Sequence, residues 1–311
     1  MIDFQAGVDS FCEYLRLERQ ASVHTIQARR RDLAKVIAYC KACHIPDWSS
    51  FEAANMRGLV AKMNENGQEA NSVKRLMSSV RRLFRHLKLQ NVIADGHNPL
   101  HKVDTPKGHK RLPRHLLSYE SGDMLDAEVE DTFIARRDHA IVELFYSSGL
   151  RLTELVNLDM EHVDFNDKLV TVVGKGNKTR IVPVGRKALE SLQEWFKHRD
   201  LVEAKGKAIF ISQQGQRLTG RAVRMRVEAM GKSKLGRHLY PHMLRHSFAT
   251  DMLSSCHDLR VVQELLGHAD IKTTQIYTHL DYGHLAGVYN NAHPRAKRIT
   301  TDSDIGKSHE L

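Results

Sequence analysis

The sequence predicts a mainly α protein with a small β-sheet confined to its C-terminal domain, and three observations predict it. The chain has 311 residues, more than one ordinary hydrophobic core organises, so two domains are expected. The first hundred residues keep helical apolar spacing throughout, whereas two β-branched runs flank a glycine-rich turn in the second half. Between Asn91 and Pro113 the periodicity breaks up among Gly96, Pro99, Pro106, Gly108 and Pro113, the composition of a linker. The division that follows is an N-terminal helical bundle over 1–105, a linker over 106–116, a mixed α+β domain over 117–299 and a polar, disordered tail over 300–311.

In the first helix Phe4, Val8, Phe11 and Leu15 share one face, and in the second Ile26, Leu33 and Ile37 follow the cap residue Ser22. A third helix follows Ser50, and a fourth runs from about Asn71 to Leu89. The fourth carries Leu76, Val80, Leu83 and Leu87 on one side, with Lys74, Arg75, Arg81, Arg82 and Arg85 crowded around the rest. In the second domain helices are expected at Asp131–Ser148 and Thr153–Leu158. Lys168–Val173 and Thr179–Val184 then form a hairpin around Gly174-Lys175-Gly176-Asn177. A helix at Lys187–Ala204, a short strand at Ala208–Ile211 and a string of short helices to about Asn291 complete it.

The net charge is +10 and the pI near 9.4, a surplus that favours a polyanionic partner, nucleic acid first and an acidic membrane second. Residues 1–108 hold 17 Lys or Arg against 11 Asp or Glu. Few acids are interleaved in the fourth helix, so a DNA backbone would supply the missing charge, and Lys74, Arg75, Arg81 and Arg82 are the candidate contacts. The linker adds Lys102, Lys107, Lys110 and Arg111. Two modules so joined are expected to close around a duplex as a C-shaped clamp. No apolar run is long enough to span a bilayer, and the start, Met-Ile-Asp-Phe-Gln, lacks a basic n-region before an apolar core. A cytoplasmic protein without membrane contact is the expectation. Cys12, Cys40, Cys43 and Cys256 are too few and scattered for a disulfide framework, and Ile37, Cys40 and Cys43 fall on helical spacing that suits core packing.

Four segments carry chemistry. In Pro241-His242-Met243-Leu244-Arg245-His246, His242 and Arg245 share a helix face and can converge on one ligand. His242 and His246 have a zinc-like spacing, but a zinc protease helix needs Glu where Met243 stands, and no third ligand is obvious. An imidazole beside a guanidinium suits an oxyanion instead. In Leu265-Leu266-Gly267-His268, Gly267 can end one helix and Asp270 can cap the next, which displays Tyr277. That shape also fits a groove reader without chemistry. In Ser148-Gly149-Leu150-Arg151-Leu152-Thr153-Glu154, Arg151 lies at a helix start where Thr153 can cap and Glu154 suits the first turn. The fourth segment is the hairpin tip with Lys175, which is not a P-loop because Gly176 follows the lysine.

Together, Arg151, Lys175, His242-x-x-Arg245, His268 and Tyr277 occur in the order and spacing of the tyrosine recombinase family, which the chain resembles over nearly its whole length. One departure is Arg29, where similar proteins often carry an aromatic residue. The resemblance implies a site-specific DNA recombinase that needs no cofactor and no metal. Tyr277 would attack a backbone phosphorus, Arg151 and Arg245 would clamp the non-bridging oxygens, and Lys175 would protonate the leaving 5′-oxygen. His242 and His268 would orient the phosphate and handle the Tyr277 proton. The implied partners are a double-stranded recombination site, a second related recombinase in a four-subunit synapse, and a DNA translocase as activator. A non-catalytic DNA binder, a type IB topoisomerase and a mobile-element integrase are the rival readings.

Overall fold

The computed structural model describes residues 3–106, 116–174, 179–266 and 287–296. It divides into two compact units, Met1–Arg111 and Leu112–Leu311.

The first unit consists of α1 (Phe4–Leu17), α2 (Val23–Ala42), α3 (Ala53–Glu65) and α4 (Ala70–Leu89). Ser22 caps α2 by accepting the Thr25 N–H, which satisfies a donor that the helix itself cannot. The apolar stripes named above point inward: Phe4, Val8, Phe11 and Leu15 of α1 and Leu76, Val80, Leu83 and Leu87 of α4 are all buried. Each such side chain stabilises the bundle by about 1.5–3 kcal/mol. Trp48 joins them and donates its indole N–H to the Phe4 carbonyl at 3.2 Å. Cys40 is part of this core, whereas Cys43 is exposed at the C-cap of α2, so helical spacing beyond the last full turn does not make it a core residue.

The second unit is built on α6 (Phe133–Ser148), buried almost continuously from Arg137 to Ser148 because α8 (Arg186–Arg199), α9 (Gly220–Leu235) and α10 (Pro241–Cys256) all pack against it. A three-stranded antiparallel sheet, β1 (Val163–Asp164), β2 (Leu169–Val173) and β3 (Thr179–Pro183), lies in the order β1-β2-β3. The hairpin register pairs Val172 with Arg180 and Val173 with Thr179. Three elements were not expected from the sequence: α5 (Ser118–Asp126), a 3-10 turn at Met160–His162 and the short strand β1. Ala208–Ile211 is buried but forms only single bridges, Asp159 with Ala208 and Ile211 with Arg217, rather than a strand. The expected short helices after it include two of 16 residues, α9 and α10, followed by α11 (Leu259–Leu266).

Residues 287–292 are helical, and the segment they begin is packed into the same unit. Tyr289 is fully buried, and its hydroxyl donates to the Ser147 carbonyl at 2.9 Å. His293 stacks on Tyr289, and Arg295 pairs with the buried Glu143 and with Asp126.

Candidate functional site

The site begins where α6 stops. Gly149 ends that helix in the left-handed conformation, at φ +57°, and returns its N–H to the Phe145 carbonyl. A Cβ there would run into the Phe248 ring, so glycine is required both for its conformation and for the close approach. Two residues on, Arg151 is the N-cap of α7 (Leu152–Val156). The capping differs from the sequence expectation: Thr153 does not cap. Glu154 reaches back instead, accepting the Arg151 backbone N–H at 2.7 Å, because a carboxylate at the third helical position spans to the cap amide as a hydroxyl one residue earlier does not.

Glu154 is the hub of the site. Its side chain is only 1% exposed, and besides the amide it accepts the Arg151 Nη1 at 2.9 Å and two nitrogens of Arg180 from β3. Burial pushes its carboxyl up, but Arg180, the Arg151 amide and the Arg151 guanidinium more than reverse this and hold it at about 2. The two arginines thus favour the ionised carboxylate.

Arg245 enters from α10, whose first turn begins at Pro241. Its guanidinium donates through Nη1 to the Gly149 carbonyl and through Nη2 to the Leu266 carbonyl at 2.7 Å. One side chain thus ties the turn that carries Arg151 to the end of α11, the residue immediately before Gly267-His268. Burial, then the charge of Arg151, lowers the Arg245 pKa to about 10. Arg151 and Arg180 contact one carboxylate, Arg245 lies within electrostatic range of all three, and that excess of positive charge in a partly buried site favours an anion.

His242 is exposed on the first turn of α10, three residues before Arg245. Among the described residues no three His, Cys, Asp or Glu side chains converge as metal ligands around it or elsewhere. Lys175, His268 and Tyr277 lie outside the described residues. Arg180 and the double role of Glu154 were missed by sequence reasoning. The spacing of Arg151 and Glu154 signalled a capping pair, but nothing in the sequence connects Arg180 to a carboxylate 26 residues earlier.

In the first unit Lys74, Arg75, Arg81 and Arg82 are all exposed on α4, with Arg85 beside them. That exposed face carries no acid of its own. Arg75 is held bidentate by the buried Asp32 of α2, with Nη2 to Oδ1 at 2.9 Å, and Ser79 donates to the same carboxylate at 2.9 Å. Arg29 joins this network through Ser79 at 2.8 Å.

Comparison with known proteins bears on both units. Residues 120–284 match the model of the phage integrase family, and residues 8–91 match that of the phage integrase N-terminal SAM-like domain. Tyrosine recombinase XerC of Pseudomonas putida strain KT2440 is 53% identical over 297 residues, covering 95% of this chain and 99% of that protein. XerC of Pseudomonas syringae pv. syringae is 50% identical over 96% of this chain and 99% of its own length. Among solved structures, the XerH site-specific recombinase bound to its difH substrate in a post-cleavage complex superposes with a TM-score of 0.69 at 23% identity, over 93% of this chain and 85% of that one.

Proposed function

This chain belongs to the phage integrase family of tyrosine recombinases, and from that premise we propose that it performs site-specific strand exchange with Tyr277 as the nucleophile and Arg151 and Arg245 as the phosphate clamp. The Tyr277 oxygen attacks the scissile phosphorus, the bond from phosphorus to the 5′-oxygen breaks, and a 3′-phosphotyrosyl enzyme and a free 5′-hydroxyl result. A phenol has an ordinary pKa of about 10, so its phosphodiester conserves the energy of the broken linkage and resealing needs no nucleotide.

The observation that carries this reading is the Arg151–Glu154–Arg245 arrangement. In the transition state negative charge grows on the non-bridging oxygens, and two preorganised guanidiniums in a partly buried site stabilise it without reorganising. Lys175 protonates the departing 5′-oxygen, which is otherwise a poor leaving group. His242 and His268 orient the phosphate and take up the Tyr277 proton.

The basic face of α4 supplies phosphate contacts through Lys74, Arg75, Arg81 and Arg82. The N-terminal domain (1–105) holds core DNA, and the catalytic domain (117–299), joined to it by the linker (106–116), does the chemistry. The high identity to XerC proteins supports resolution of chromosome dimers at cell division, in the cytoplasm. The partners are a double-stranded recombination site, a second XerD-like recombinase in a heterotetramer, and a DNA translocase that activates the pair. No described helix is long and apolar enough to cross a membrane.

A duplex nicked next to the cleavage position tests the reading, because the short product diffuses away and the covalent complex accumulates. Wild-type protein should give a protein–DNA band that survives denaturation, and Tyr277→Phe should bind the duplex normally without giving it. An unchanged band from Tyr277→Phe would refute the assignment.

A further inference from the structure

Arg180 has no part in the mechanism above, yet it grips the hub of the site with both ends of its guanidinium. It sits on β3, opposite Val172 of β2, and its Nη1 and Nη2 reach Oε1 and Oε2 of Glu154 at 2.5 and 3.0 Å. Arg151 takes the second position on each oxygen, with Nη1 on Oε1 at 2.9 Å and its backbone N–H on Oε2 at 2.7 Å. Each carboxylate oxygen therefore accepts one bond from Arg180 and one from Arg151. We propose that Arg180 is a positioning residue for strand transfer: its two-pronged hold fixes the Glu154 carboxylate, which in turn sets the Arg151 guanidinium beside Arg245. The inference rests on the assignment of Arg151 to the phosphate clamp.

Burial, geometry and charge support this together. The Glu154 side chain is 1% and the Arg180 side chain 17% exposed, so water is poorly placed to replace a missing partner. A planar fork engaging both oxygens fixes the rotation of the carboxylate as a single point charge does not. Charge balance points the same way. Glu154 cancels one of the two clamp charges, Arg151 and Arg245, and Arg180 offsets that carboxylate, so the field where a phosphate must bind keeps the full charge of the clamp. Arg180 also keeps its Nε–H buried without a partner among the described residues, so the hold on Glu154 is made entirely through the two terminal nitrogens.

The test compares adduct formation on the nicked duplex by the full chain and by Arg180→Ala, Arg180→Lys, Arg151→Ala and the double variant Arg151→Ala/Arg180→Ala. Direct removal of a transition-state donor slows such a step on the order of 10²-fold, so loss of the residue that positions one should slow it about 10-fold or more, with DNA affinity unchanged. Arg180→Lys keeps the charge but not the fork, and should remain slow. It carries the test by itself if the alanine variant fails to fold. The double variant should be no slower than Arg151→Ala, because the two residues act through one guanidinium. A substrate whose scissile phosphate bears a methyl group in place of one non-bridging oxygen should narrow the gap between wild type and Arg180→Lys, since less charge needs clamping. Wild-type rates from Arg180→Lys, or a full multiplicative loss in the double variant, would overturn the proposal. Normal cleavage by Arg151→Ala would instead remove the clamp assignment on which it stands.

Discussion

Replacing Arg245 with alanine separates a catalytic cation from a structural one, and the structure sets the magnitudes. The guanidinium makes two charge-assisted bonds, to the carbonyls of Gly149 and Leu266, each contributing about 1.5–3 kcal/mol. Against these, burial and the neighbouring charge of Arg151 bring its pKa from 12.5 to about 10, which opposes the charged form by about 3 kcal/mol. The two contributions largely offset one another. Arg245→Ala should therefore cost the free protein about 0–3 kcal/mol, a fall in Tm on the order of 10 °C at most for a unit of this size. Its effect on chemistry should be far larger, about 10²-fold or more in the rate of covalent adduct formation. The assay is single-turnover cleavage of a nicked duplex, with thermal unfolding and DNA affinity measured on the same preparation. A variant destabilised by more than about 5 kcal/mol, whose folded fraction still cleaves within about threefold of wild type, a difference of less than about 1 kcal/mol in the barrier, would show that Arg245 is a strut between two backbone segments.

Three further expectations follow from particular residues. Neutralising Lys74, Arg81 and Arg82 together should flatten the salt dependence of DNA binding, by about 0.9 in the logarithmic slope for each phosphate no longer neutralised, as read by titrations at several salt concentrations; an unchanged slope would take α4 off the DNA. His139 and His293 are held by burial at about 4 and about 3, and burial also lowers His86. Folded pKa values below the unfolded value mean that this stability is complete above about pH 6.5 and is lost as pH falls from there, toward about 4 for His139 and about 3 for His293; His139→Gln should show a shallower acid loss in thermal melts, and an identical profile would contradict this. Gly149→Ala should destabilise the second unit by at least about 1–2 kcal/mol, from the positive φ alone, and more from the encounter with Phe248; a Tm equal to wild type would mean that the turn tolerates a side chain.

Much of the fold was legible because long amphipathic helices state their own period. The Phe4, Val8, Phe11, Leu15 stripe and the Leu76, Val80, Leu83, Leu87 stripe each bury the residues that the spacing names. The omissions have local causes. In α5 the run Ser-Tyr-Glu-Ser-Gly-Asp-Met-Leu-Asp buries Ser121, Met124 and Leu125, too little to display a periodicity. β1 is two residues long and cannot show alternation. Ala208–Ile211 has the apolar composition of a strand, but it is covered on its sides by other elements and finds no partner run. At the site, Arg151 and Arg245 were readable as members of short motifs. Arg180 was not, because its partner is distant in sequence and a lone arginine in a strand does not reveal which carboxylate it will meet.

In the proposed reaction a phenolic oxygen becomes esterified to a DNA phosphate held between guanidiniums. The direct measurement is to trap the protein on a nicked duplex in the presence of EDTA, digest the covalent complex, and identify by mass the peptide that carries the nucleotide. A single modified peptide is expected, with the adduct on Tyr277, formed at an undiminished rate under chelation. An adduct on another residue, or cleavage that EDTA abolishes and a divalent ion restores, would contradict it.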